Sequence, residues 1–261
     1  MATANEVVYL DTLGAMRASM SSATTKEQRT HVDLFLSQLK EDRRCLEIMA
    51  HILTVQSANH DDYIRMLSLT ILNDWLKIWW NKLSDAEQSS MRDTVIMLLH
   101  GPVGKSPVRG LWTKLAVMIS NISVRQFPQM WPNFLEDMVS ICIANSTTSD
   151  SSSFGGQEIA IMAVEFTASD SIDTDYCNSL PLQRRQDILA GFRKKLPELL
   201  GFAHGFLVQC SNRYSMLPPR GDESLSSHSN QNATLLLYLV PHQQWLLLLP
   251  VVSTASPSKL K

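Results

Sequence analysis

Lys114-Leu115-Ala116-Val117-Met118-Ile119-Ser120-Asn121-Ile122-Ser123-Val124-Arg125-Gln126-Phe127-Pro128-Gln129-Met130-Trp131-Pro132 is the stretch that decides the fold of this 261-residue chain. An apolar pattern with helical spacing runs into two aromatic-proline steps, Phe127-Pro128 and Trp131-Pro132. A proline pushes the residue before it out of the helical region, so the helix must stop near Arg125 or Gln126. Pro132 suits the first turn of a following helix, where its missing N–H would have had no partner. The stretch therefore predicts two helices joined by a stiff corner, with Trp131 as a wedge between them and Phe127, Pro128 and Pro132 as its structural frame.

Outward from this corner the same period continues. Thr25 is placed to cap a helix carried by Val32, Phe35, Leu36 and Leu39, and a second helix is expected over about 43–56. Asp61 or Asp62 can cap a third, on which Tyr63, Ile64, Leu67, Ile71, Leu72, Trp75, Leu76 and Trp79 recur every three or four residues. Ser84-Asp85-Ala86-Glu87 reads as a capping box before Met91, Val95, Leu98 and Leu99, giving a helix over 84–100. After a loop at 101–107, helices are expected at about 108–125, 132–144, 157–168 and 182–213, with a Ser/Thr-rich loop over Asn145–Gly156 and a kink at Pro197. Strand patterning is almost absent. First helices of successive hairpins begin near 61, 108 and 157, intervals close to the roughly 40–47 residues of HEAT-type repeats. Each hairpin needs neighbours to cover its faces, which favours a stack over a closed bundle. The expected fold is all-α: a HEAT-repeat α-solenoid, a right-handed superhelix of about four helical hairpins.

The domain expectation is HEAT repeats over 1–144, a further hairpin with its Ser-rich loop over 145–214, and a linker with an atypical, disordered or truncated tail over 215–261. The apolar run from Leu235 to Val252 is interrupted by Pro241-His242-Gln243-Gln244, which makes a poor membrane span. No secretory signal is expected at the start. Hydrophobic content of 44% fits a globular chain, and a net charge of -2 supplies no general field for nucleic acid. Cys45, Cys142, Cys177 and Cys210 form no metal-ligand or redox spacing, which fits a reducing compartment.

Gly101-Pro102-Val103-Gly104-Lys105-Ser106 has a nucleotide-loop ending but lacks the earlier glycine, which is Leu99 here, and a strand before it. It reads as a loop between repeats. Trp75, Trp79 and Trp112 fall on apolar stripes and are expected in the core, whereas Trp80 falls off the stripe and is expected exposed. The seven histidines form no His-x-x-x-His pair. No nucleophile elbow or paired-carboxylate motif appears, so no enzyme, metal or cofactor is expected. Arg184-Arg185 with Arg193-Lys194-Lys195 is the single basic cluster, read either as a solvated helix face or as a contact with a phosphate backbone or acidic partner.

Three segments carry a family resemblance. The Lys-Leu-Ala helix that ends in Arg-x-aromatic-Pro-x-x-Trp-Pro, at 114–132, resembles the exportin branch of the importin-β (karyopherin) superfamily. Tyr63 to Trp80 is similar to the amino-terminal importin-β domain, where a helix ending in basic and aromatic residues leads through a Leu-Ser turn to the next repeat. Leu180-Pro181-Leu182-Gln183-Arg184-Arg185-Gln186-Asp187-Ile188 resembles a segment of the exportins that carry hairpin RNA precursors. The resemblance covers roughly residues 5–213 and would correspond to the amino-terminal arm of a longer solenoid.

That resemblance implies a nuclear transport receptor shuttling between nucleus and cytoplasm, with Ran-GTP, double-stranded or hairpin RNA such as microRNA precursors, and nucleoporins as partners. It places Ran against the second helices of the first repeats, here about 43–56, 84–100 and 132–144. Arg44, Glu47, His51, Arg92, Asp93, Glu136 and Asp137 are the candidate Ran contacts. Arg184, Arg185, Arg193, Lys194 and Lys195 are the candidate RNA contacts. An exportin of protein cargo and a HEAT scaffold without transport are the alternatives.

Overall fold

The computed structural model describes residues 4–55, 61–146, 154–172 and 180–215. Within them the chain is all-α: α1 (Ala4–Met20), α2 (Lys26–Lys40), α3 (Cys45–Thr54), α4 (Asp62–Trp79), α5 (Asp85–His100), the single turn α6 (Pro102–Lys105), α7 (Arg109–Gln126), α8 (Phe134–Ser146), α9 (Phe154–Ile172) and α10 (Leu182–Ser215). The chain divides into two compact units, residues 1–167 and 168–261, with the division falling inside α9.

Local chemistry sets the boundaries. Thr25 and Gln28 form a reciprocal capping box before α2, and Ser84 and Glu87 do the same before α5. The Asp61 carboxylate accepts from the Ile64 amide at 2.8 Å and starts α4. At the corner, the Gln126 carbonyl accepts from both the Met130 amide (2.7 Å) and the Trp131 amide (3.1 Å). The Trp131 carbonyl accepts from Phe134 at 3.2 Å, and the Asn133 carbonyl from Asp137 at 2.8 Å. The helical ladder therefore starts after Pro132. That proline lies in the turn before α8 and not in its first turn, because the corner itself consumes the Met130 and Trp131 amides.

In the first unit the helices pack in two rows. α2, α4 and α7 follow one another in one row, and α3 lies beside α5 in the other. α3 packs most closely on α4, and α5 on α6 and then α7. Hydrogen bonds tie in the following helices: Ser123 on α7 meets Thr167 on α9 at 2.6 Å, and the Gln157 side-chain amide of α9 donates to the Cys142 carbonyl of α8 at 2.8 Å. This is the repeated hairpin packing of a HEAT-type solenoid. Buried polar pairs recur between neighbours of the first row, since Asn121 on α7 also donates to Asn73 on α4 at 2.8 Å. Such side chains hold the register between helices while satisfying each other away from water.

Several sequence expectations are corrected. α1 was not anticipated, and its pattern explains why. Leu13 and Met16 are buried, but Val7, Leu10 and Met20 are exposed, so its apolar residues form no single stripe. The segment 101–107 is not all loop, because Pro102 opens the one-turn α6 and buries Val103 and Gly104. Trp80 is buried, not exposed. It begins a 3₁₀ turn, Trp80–Lys82, which changes the angular period at the end of α4 and swings the indole inward. Trp79 and Trp112 are only partly buried. The Trp75 and Trp79 indole N–H groups donate to the Asp42 and Lys40 carbonyls at 3.0 and 3.2 Å, tying α4 to the turn after α2. α9 begins at Phe154, earlier than expected, and α10 continues through Pro197. The expected tail from 216 onward and residues 147–153 of the Ser/Thr-rich loop lie outside the described residues.

Candidate binding surface on the second helices

The candidate contacts from the sequence lie on α3, α5 and α8, the second helices of successive hairpins, and all belong to the first unit. Glu47 and His51 sit one turn apart on the exposed side of α3. The Tyr9 ring of α1 meets the His51 imidazole edge-on at 5.1 Å. Arg44 caps the start of α3 and pairs with Asp42 at 2.6 Å. That guanidinium holds the Asp42 carboxyl below its ordinary range, chiefly through the side-chain hydrogen bonds. Beside it, Arg43 forms an ion pair with Glu87 and links the start of α3 to α5.

Between α5 and α8 the structure brings three further candidates, Arg92, Asp93 and Asp137, to one place. A groove of about 600 Å³ is lined by Arg92, Asp93 and Ile96 of α5, by Trp131, Pro132 and Asn133 of the corner, and by Asp137, Ser140 and Ile141 of α8. Trp131 is 4% exposed and packs edge-on against Phe134 with ring centres 4.9 Å apart, while Phe127 meets Phe134 at 5.7 Å. The polar edge of Trp131 is satisfied: the indole N–H donates to Asp137 Oδ2 at 2.7 Å. Arg92 lies over the same ring at 5.6 Å, donates to the Met130 carbonyl at 3.3 Å and to Asp93 Oδ1 at 3.2 Å. One arginine thus fastens α5 to the corner of the next hairpin by a cation–π contact and one hydrogen bond, while Asp93 beside it on α5 holds its Nε. Asp93 remains 72% exposed at the rim. Glu136 is partly buried beside Asp137 and does not line the groove.

Ile96, Ser140, Ile141 and Asn133 were not singled out from the sequence. The available signal was spacing: 93 and 96 on α5, and 137, 140 and 141 on α8, are three or four residues apart and share a face.

The basic cluster of α10, in the second unit, is distributed differently. With 3.6 residues per turn, Arg184 and Lys195 fall on one side, Arg193 lies roughly opposite, and Arg185 and Lys194 point to either side. Ile188 and Phe192 are buried, with Arg184 and Arg185 partly buried alongside them, whereas Arg193 and Lys194 are exposed. Burial lowers the proton affinity of the Arg184 guanidinium, opposed by the nearby Asp187 charge. Lys195 pairs with Glu198 at 3.2 Å. The five cations do not make one face.

Cys45 and Cys142 are buried free thiols, and burial pushes both up to about 12. Among the described residues no cluster of three His, Cys, Asp or Glu side chains could hold a metal ion, and no helix is long and apolar enough to cross a membrane. Around the Gly101–Ser106 segment, α5 precedes α6 and the Ser106 hydroxyl donates to Asp62 at 3.1 Å, an arrangement unlike a phosphate cradle.

Successive helices stacked in two rows, with charged residues of the second helices turned to solvent, define a HEAT-type helical-repeat protein. The chain belongs to the exportin 1-like protein family, whose model matches residues 108–246, just over half of its length and including the corner. The match continues beyond residue 213, where the sequence resemblance was expected to end. The chain is 22% identical to Exportin-5 of Dictyostelium discoideum over 198 residues, 75% of this chain and 16% of that protein. It is 22% identical to Exportin-5 of Mus musculus over 220 residues, 83% and 17% of the two chains. Over 138 residues it is 26% identical to Protein EXPORTIN 1B of Arabidopsis thaliana, covering 51% and 12%. It therefore spans less than a fifth of each of these relatives.

Proposed function

We propose that this chain serves a nuclear export receptor of the exportin-5 type, binding Ran-GTP on α3, α5 and α8 and taking part in carrying double-stranded or hairpin RNA from nucleus to cytoplasm. The observation that carries this reading is family membership through the corner that also builds the α5–α8 groove. The chain acts by binding and not by catalysis. Ran-GTP and cargo both favour one arrangement of the repeats, so each raises the other's affinity, and hydrolysis on Ran releases both. Passage through the pore adds nucleoporins as partners, and the receptor shuttles between the two compartments.

Capture of purified Ran by the immobilised chain, with GTP against GDP loaded, tests the proposal. Retention of the GTP form alone is the expected result, and indifference to the nucleotide supports a HEAT scaffold without transport. Carriage of protein cargo is the second reading within the family. It is favoured by the scatter of the α10 cations, since only Arg193 and Lys194 stand exposed for a phosphate backbone.

A further inference from the structure

We infer that the groove between α5 and α8 is a socket for a lysine or arginine side chain of the protein that docks on the second helices. The inference rests on the proposed Ran-GTP reading and gives that surface its chemistry. The described lining carries one cation and two carboxylates. The cation is already engaged: Arg92 is 22% exposed, with its Nε on Asp93, its Nη1 on the Met130 carbonyl and its plane over Trp131. It fastens the corner and cannot swing out to neutralise an incoming group without releasing those contacts.

The carboxylates keep capacity. Asp137 gives Oδ2 to the Trp131 indole at 2.7 Å, which fixes its orientation and leaves Oδ1 to accept. Asp93 gives Oδ1 to Arg92 and leaves Oδ2 at the rim, where the side chain is 72% exposed. Between them lie the apolar surfaces of Ile96, Pro132 and Ile141. An aliphatic stem above a charged head matches this combination of apolar floor and carboxylate rim. An acidic or phosphorylated group does not, because it would meet two carboxylates with the only cation committed elsewhere. The volume of about 600 Å³ admits a long side chain together with its neighbours on the partner.

Ser140 allows a test that spares the fold, because it is exposed on the groove wall and outside the Arg92–Trp131–Asp137 contacts. The full chain and its Ser140→Lys, Ser140→Glu and Ser140→Ala variants are titrated with GTP-loaded Ran at two salt concentrations, with thermal melts as controls. A socket for a cation predicts affinity weaker by about tenfold in Ser140→Lys than in Ser140→Ala, which sets the reference for loss of the hydroxyl alone. Ser140→Glu should bind more tightly than Ser140→Lys, with a steeper loss of affinity as salt rises. Equal affinity of the Lys and Glu variants, with the unsubstituted chain binding, overturns the socket and leaves the Ran reading standing. Tighter binding by Ser140→Lys assigns the groove to an anionic group and also overturns it. Failure of the unsubstituted chain to bind GTP-loaded Ran overturns the Ran reading, and this inference with it.

Discussion

The α5–α8 groove and the basic stretch of α10 both stand out in the sequence as clusters of charge, yet they become different things. At the groove, residues from two helices and the corner between hairpins converge, and each charged group has an assigned neighbour. On α10, five cations lie within twelve positions, but the turn of a single helix disperses them around its axis. Proximity in sequence does not make a surface. A built site needs a second element to bring other residues against the first.

The comparison is broken most severely through Trp131. Replacing it with Ala removes a buried indole, its edge-on contact with Phe134 and the partner of both Arg92 and Asp137. Loss of roughly 3–5 kcal/mol is expected, with the melting temperature falling and the groove disordered. An unchanged melt and helical signal would show that the corner is not the anchor of this hairpin.

Two glycines sharpen the same contrast at smaller scale. A Cβ on Gly155 of α9 would run into the Gly104 carbonyl and lie 2.8 Å from the Trp112 ring, whereas a Cβ on Gly201 of α10 meets no described residue within 4 Å. Gly155→Ala should therefore destabilise by about 1–3 kcal/mol through overpacking. Gly201→Ala should stabilise by roughly 0.5–1 kcal/mol through the helix propensity of alanine. Denaturant melts of the pair that move in the same direction would contradict the difference in packing.

The smallest effect concerns RNA. With a net charge of -2 and two of the five cluster cations, Arg193 and Lys194, turned fully outward, the chain alone should bind a short hairpin RNA in the non-specific range of about 10⁻⁴ to 10⁻⁶ M. Replacing both Arg193 and Lys194 with Gln should reduce the slope of log affinity against log salt by about two, while Arg184→Gln should change it little. Tight binding that survives physiological salt without Ran would show that this chain supplies a complete RNA site by itself and would overturn the expected weak range.

Helix positions were legible wherever a local signal was strong. Thr25, Asp61 and Ser84 cap their helices through bonds to residues three places on, and Pro128 stops α7 by holding Phe127 in the extended region. α1 and α6 escaped notice because one spreads its apolar residues around the helix and the other is a single turn.

The charged residues of α3, α5 and α8 were likewise visible as the outward positions of second helices. Their roles were not. The sequence by itself determined the all-α period, the hairpin lengths and the stiff corner, because caps, apolar spacing and proline act within a few residues of chain. Only the tertiary structure decided that Arg92 would reach Met130 and Trp131, 38 and more positions away, and that Trp80 would turn inward. It also decided that Asp137 would face a groove lined from α5 and the corner. Those outcomes depend on which helix lies beside which and at what rotation, and that is set by packing between segments remote in sequence.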